Sequence, residues 1–241
     1  MAAPFVVFAT QRTGSSWVAS MLGSHPAVET YGELFQRGAK RDTAFDPYFL
    51  AHGGRRNRRR RLTFRFLDAL YAAQPGIDAI GFKLMYQDVK ENPAILAYLA
   101  RRKVRVVHLV RANLLDVVVS NETARARGRY HAEGAVEQVA VAVDAESLVR
   151  RLRSLERKVK VARTAVAAAF VPHVEVSYES LLAEPRRFAD LLRFLDVCDP
   201  DTPLTSQLRK LNSLRKEDTI SNFAEVERAL SGTRFAAFID R

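Results

Sequence analysis

A single cysteine, Cys198, stands in the 241 residues. No internal disulfide can form and no thiolate-rich metal site can be built, a pattern that suits a reducing compartment. No apolar run approaches the length of a bilayer span. A core strand begins by Phe5, which leaves no room for a cleavable leader ahead of it, so the expected location is the cytoplasm. Acids are in short supply, with Asp and Glu at 27 against Lys and Arg at 38, a formal net charge of +11. That surplus implies an anionic partner without saying which, since nucleic acid, anionic lipid, acidic glycan and a small multi-phosphate ligand all fit. Sequence repeats are absent as well. The hydrophobic content of 48% is enough for one substantial core, so a single α/β domain over residues 1–241 is expected.

The chain is organised around Phe5 to Trp17, F-V-V-F-A-T-Q-R-T-G-S-S-W. The continuous apolar run Phe5–Ala9 is what a strand buried on both faces requires. Gln11 to Ser16 then form a tight polar turn, after which Trp17–Leu22 resume with helical character. A strand, a glycine turn and a helix opening on hydroxyl side chains make a cradle for an anion. Backbone N–H groups and the positive end of the helix dipole face the turn. Arg12 adds a fixed charge, and Thr13, Ser15 and Ser16 add hydroxyl donors. A phosphate or sulfate ester belongs there. The standard nucleotide-triphosphate loop is missing: there is one glycine, no Lys after it, and the cation precedes the glycine.

Two carboxylates, Glu29 and Glu33, follow shortly after the cradle, and either is a candidate general base for an acceptor hydroxyl. Residues 37–61 carry the least order signal and contain the block Arg55, Arg56, Arg58, Arg59, Arg60 and Arg61, expected as a mobile Arg-rich insertion or, in the alternative, as a surface that attracts an anionic acceptor such as an acidic glycan or lipid headgroup. No aromatic residues interleave these arginines to stack bases, which argues against nucleic acid as the partner. An amphipathic helix is expected over 62–73 and a second core strand over 80–85. Lys83 is the lone charge in that strand and must reach solvent or an anion. A short helix over 93–102 and a strand over 104–110 follow, with His108 read as a satisfied core histidine. Arg111 closes the strand, and a helix begins with Asn113 as its N-cap. Residues 135–170 read as a long helical stretch with a seam of Leu148, Leu152, Leu155, Val159, Ala162 and Val166, which packs on the parent domain or forms a homodimer contact. A strand over 174–177, a helix over 185–195 and a final helix over 223–230, capped by Ser221 or Asn222, complete the chain. Strands alternating with helices indicate a central parallel sheet with the site along its carboxyl edge.

Arg12-Thr13-Gly14-Ser15-Ser16-Trp17, directly after the first buried strand, resembles the phosphosulfate loop of sulfotransferases that use 3′-phosphoadenosine 5′-phosphosulfate (PAPS). The resemblance spans the chain in motif order on about ten to fifteen positions. It implies a P-loop-like three-layer α/β fold, in which the basic residue and hydroxyls grip the 5′ phosphosulfate and Trp17 stacks on adenine. It implies that Lys83 faces the sulfuryl group, that Arg111 and Ser120 hold the 3′-phosphate, and that Tyr178 contacts adenine. Arg215 and Lys216 match a basic closing loop on the 3′-phosphate, though no glycine follows them. The Arg111-to-Ser120 spacing is one position longer than in cytosolic members. Those members place a His base two residues after the Lys, where this chain has Met85. Gly32-Glu33-Leu34-Phe35 is similar to the base segment of the glycolipid and trehalose branch, which favours Glu33 over Glu29. The resemblance implies no metal, and a hydroxyl on a carbohydrate, glycolipid or other small molecule as acceptor. Two rival readings stay open on the residues: a nucleotide-dependent P-loop kinase, and a non-catalytic binder of nucleic acid or acidic glycan.

Overall fold

The computed structural model describes residues 2–37, 44–127, 139–206, 208 and 215–239. In chain order its elements are β1 (Ala3–Ala9), α1 (Ser15–Leu22), β2 (Val28–Glu33), α2 (Phe45–Ala51), α3 (Arg59–Leu70), β3 (Ala79–Met85), α4 (Tyr86–Glu91), α5 (Ala94–Arg102) and β4 (Arg105–Val110). They continue with α6 (Leu114–Arg127), α7 (Ala145–Ala168), β5 (His173–Ser177), α8 (Tyr178–Ala183), α9 (Arg187–Phe194), α10 (Lys216–Thr219) and α11 (Phe223–Leu230). The five strands form one sheet in the order β2-β3-β1-β4-β5, every pair parallel. The chain leaves β1 on one side for β2 and β3 and then crosses to the other for β4 and β5. The crevice at β1 is therefore the topological switch point of the sheet.

The chain divides into two compact units. One comprises Met1–Val110 and Ala162–Ser206 and contains the sheet. Successive residues of β1 point to opposite faces. Phe5, Val7 and Ala9 pack with Val18 and Leu22 of α1, Leu181 of α8, and Phe188, Leu191 and Leu192 of α9. Val6 and Phe8 pack on the other side with Leu62, Phe66 and Leu67 of α3, Ile95, Tyr98 and Leu99 of α5, and Ala162 and Val166 at the end of α7. Burial on both faces is why β1 reads as an unbroken apolar run. The expected α/β fold, a central parallel sheet flanked by helices, is the one observed.

The other unit comprises Arg111–Val161 and Gln207–Arg241. Its core joins Leu114, Leu115 and Val118 of α6 to Leu148 and Leu152 of α7, Val226 and Leu230 of α11, and Phe235. Asn113 Oδ1 accepts the Leu115 N–H at 3.0 Å and caps α6 as expected. The α11 bounds match the expected final helix. Asn222 precedes that helix, but its amide bonds both backbone groups of Val143, at 2.9 Å each, instead of capping it.

Two helix starts depart from expectation by three residues or more. Helix α7 starts at Ala145, well after 135. Val141 is held in a parallel bridge to Ile220, and Asp144 Oδ1 accepts the Ser147 N–H at 3.2 Å as the cap. The part of the expected helix over 135–138 lies outside the described residues. Helix α3 begins at Arg59, inside the arginine block. Of the stretch 37–61, residues 38–43 lie outside the described residues, while 44–61 hold α2, a 3-10 turn over Arg56–Arg58 and the first residues of α3. Among the described residues no helix is long and apolar enough to cross a membrane.

Candidate active site

The turn after β1 is built on left-handed backbone at two alternate positions, Arg12 at φ 63 and Gly14 at φ 86. Thr13, buried between them, donates its hydroxyl hydrogen to Thr10 O at 2.8 Å. Thr13 was expected as a ligand donor; its hydrogen closes the turn instead. The Val18 N–H donates to Gly14 O at 3.1 Å and starts α1. The N–H groups of Ser15, Ser16 and Trp17 precede that bond and open toward the turn, as at any helix start. Gly14 has a second reason to be glycine: a Cβ there would lie 2.3 Å from Cδ2 of Tyr178. Tyr178 follows directly on β5, and its ring meets Trp17 edge-on at 5.3 Å, while Trp17 meets Phe188 at 5.4 Å. The two aromatic residues assigned to adenine by resemblance thus pack against each other beside the cradle.

Lys83 is buried near the carboxyl end of β3 yet finds two polar partners. Its Nζ donates to Ser16 Oγ at 2.8 Å and pairs with Glu33 Oε1 at 3.1 Å. The expectation that this lone charge reaches an anion is met by Glu33. The register explains why Glu33 is chosen. Tyr31 lies opposite Phe82, so regular pairing would place Gly32 opposite Lys83; an irregularity between Tyr31 and Glu33 places Glu33 there instead. Glu29 lies farther back on β2, opposite Ile80. One cation thereby links the cradle to one of the two candidate bases.

Beside this pair sits an acid that the sequence did not single out. Asp88 is buried in the first turn of α4, where its Oδ2 accepts the Met85 N–H at 2.8 Å. Burial pushes its carboxyl up to about 6, with repulsion from Glu33 and Glu91 adding to the rise and the Met85 N–H opposing it. The available signal was its place at the third position of a helix that follows a strand. Met85 is buried at the end of β3 and its side chain offers no proton acceptor.

His108 is the satisfied core histidine expected. Its Nε2 is 2.6 Å from the Tyr86 hydroxyl and its Nδ1 is 3.0 Å from Glu175 Oε2. Arg163 holds Glu175 bidentately with two 2.7 Å bonds. Burial pushes the His108 imidazole down against the opposing pull of Glu175, and burial pushes the Tyr86 hydroxyl up. Arg163 holds the Glu175 carboxyl below its usual range.

In the second unit, Arg111 and Lys216 converge on Asp116. Arg111 Nη2 is 2.8 Å from Asp116 Oδ2 and Lys216 Nζ is 3.8 Å from Asp116 Oδ1. Ser120 lies one helical turn beyond Asp116 on α6 and so shares its face. Two expected anion ligands distant in sequence are thus brought together, along with a carboxylate the sequence reading missed. Arg215 is different: it is exposed, 3.5 Å from Asp218 and 3.7 Å from Glu217. Among the described residues no three His, Cys, Asp or Glu side chains group to hold a metal ion.

No family model matches the chain, and no curated protein matches it by sequence. The crystal structure of a sulfotransferase from Alicyclobacillus acidocaldarius does match in three dimensions, with a TM-score of 0.51 at 15% identity, covering 100% of this chain and 97% of that one. The two share a fold. In this sulfotransferase fold, the cradle after β1 and the Lys83–Glu33 pair belong to one compact unit, and all of these residues stand at or near the carboxyl ends of β1, β2 and β3.

Proposed function

We propose that this protein is a PAPS-dependent sulfotransferase that moves a sulfuryl group to a hydroxyl of a carbohydrate, glycolipid or other small acceptor, giving a sulfate ester and 3′-phosphoadenosine 5′-phosphate (PAP). The observation that carries the reading is Lys83, which bonds the cradle hydroxyl of Ser16 and the carboxylate of Glu33 at once, within a fold shared with a sulfotransferase. PAPS supplies the sulfuryl group and a phosphate leaving group. The donor set suits it: N–H groups, hydroxyls and Arg12 around Gly14 match a 5′ phosphosulfate. Arg111, Ser120 and Lys216, with Arg215 as the outer candidate, are the groups for a 3′-phosphate. Trp17 and Tyr178 flank the cradle as the aromatic surfaces for adenine.

Glu33 is the base that accepts the acceptor's hydroxyl proton as the oxygen attacks sulfur; Glu29 is the second choice. Arg12, Lys83 and the cradle N–H groups stabilise charge developing on the sulfuryl oxygens and on the leaving phosphate. Positioned cations and dipoles supply most of the help in the analogous phosphoryl transfer. Ser16, bonded to Lys83, ties that cation to the helix start.

Thermal unfolding with PAP, AMP and magnesium–ATP tests the reading. A ligand that binds only the folded state raises the melting temperature in proportion to the logarithm of its concentration over its Kd. PAP should stabilise clearly more than AMP, without added metal. Stabilisation by magnesium–ATP with none by PAP would overturn the proposal in favour of a kinase.

A further inference from the structure

From Pro47 to Leu67 the chain contains no carboxylate and seven arginines: Arg55, Arg56, Arg58, Arg59, Arg60, Arg61 and Arg65. All but Arg59 are exposed. Among the described residues, none of the seven forms an ion pair, although arginines elsewhere pair freely with acids, as Arg163 does with Glu175. Arg58, Arg61 and Arg65 recur at three- and four-residue steps around the start of α3. Leu62, Phe66 and Leu67 of the same helix are buried. The ridge is a built, ordered surface with its charge turned outward.

An exposed apolar residue precedes it in the chain. Leu50, near the end of α2, is 72% exposed. The Gly53 N–H donates to Leu50 O at 3.2 Å, and Arg58 Nη1 lies 3.7 Å from the point where a Cβ on Gly53 would stand. On the inner side of α2, the Arg59 guanidinium covers the rings of Phe45 and Phe49, each at 5.5 Å. The helix therefore turns its aromatic residues inward beneath Arg59 and leaves its leucine exposed, a few residues ahead of the arginines. Binding of a dissolved polyanion would use the charges and leave Leu50 in water. An anionic bilayer uses both: guanidinium groups meet the phosphates and the leucine enters the interface.

We propose that Leu50 and the ridge Arg55–Arg65 form a docking surface for an anionic lipid bilayer. This surface is independent of the nucleotide reading, because binding needs no PAPS, and either can fail alone. The surface begins close to the candidate base: the Phe45 N–H that opens α2 donates to Leu34 O at 2.8 Å, one residue after Glu33.

Co-sedimentation of the full chain with phosphatidylcholine vesicles, with and without phosphatidylglycerol, tests it. The protein should pellet with the anionic vesicles and not with the neutral ones. Leu50→Ser leaves the charge unchanged and should weaken binding on the order of tenfold, the loss of one inserted leucine. Arg55→Gln/Arg58→Gln/Arg61→Gln should weaken it on the order of a hundredfold, about fivefold per charge. All four positions are exposed, and an unchanged thermal melt confirms that each variant folds. No pelleting with anionic vesicles, or Leu50→Ser binding as the wild type does, overturns the proposal. So does binding to heparin or single-stranded DNA that matches the vesicle affinity and ignores Leu50→Ser, which would mark a surface for soluble polyanions.

Discussion

Glu33 faces Lys83 across two adjacent parallel strands only because the pairing slips by one residue between Tyr31 and Glu33. Gly32 is the residue left over, and glycine is common where a strand must bulge. The carboxylate is therefore placed by backbone register as well as by charge. Glu33→Gln keeps the shape and a hydrogen-bonding partner for Lys83 while removing the proton acceptor. Sulfate-ester formation, followed by mass spectrometry, should fall by roughly two to four orders of magnitude. PAP affinity, measured by calorimetry, should change by less than about threefold. Glu29→Gln should retain turnover. Loss with Glu29→Gln and retention with Glu33→Gln would reverse the assignment.

Gly14→Ala faces two separate obstacles, a left-handed backbone and the ring of Tyr178. The first costs about 1–2 kcal/mol and the second a comparable amount while the ring shifts. A drop in melting temperature of roughly 5–10 °C is expected. Adding Tyr178→Leu should recover the steric part and leave the backbone part. If Gly14→Ala melts as the wild type does, the turn is not held as described.

Arg111→Met and Lys216→Met should weaken PAP binding by roughly thirtyfold for Arg111, the worth of one charge-assisted bond of about 2 kcal/mol, and by less for Lys216. AMP, which lacks the 3′-phosphate, should bind each variant as it binds the wild type. Equal losses for PAP and AMP would remove these residues from the 3′-phosphate role.

His108 carries a pH signature. Its imidazole is held below the ordinary value of 6.5 in the folded chain, so the unfolded chain binds more protons as pH falls. The stabilisation is full above about 6.5 and is lost as pH drops through the lower folded value. Asp88 acts in the opposite sense: raised to about 6, it favours the folded state below its unfolded value of 3.8, and that contribution is lost as pH rises through about 6. Comparing the melting temperatures of wild type and His108→Gln between pH 7 and pH 5 cancels the Asp88 contribution. The wild type should lose more stability over that window, and parallel curves would refute the assignment.

The sheet was legible because strands buried on both faces leave continuous apolar runs, and Lys83 was legible as the one charge inside such a run. The Gly32 slip was not, since parallel register depends on the neighbouring strand. Asp116 was missed because its partners come from a strand end and from a segment about a hundred residues later. The start of α3 was misread because an arginine run suggests a solvated coil. Arginine is in fact a good helix former, and Arg59 also gains two aromatic rings as a platform. The beginning of α7 was set too early because a side-chain cap at Asp144 and a bridge at Val141 stop a pattern that periodicity alone would extend.

The carboxylate of Asp116, lodged between Arg111 and Lys216, makes that corner a contested one. An anionic guest of the proposed kind would have to dislodge or share with a resident of like charge. Chloride or acetate brings no more charge than the resident already provides and so gains little by entering. A doubly charged phosphate monoester exceeds it. Under the proposed 3′-phosphate role, the corner would discriminate against the background salt that two bare cations would collect.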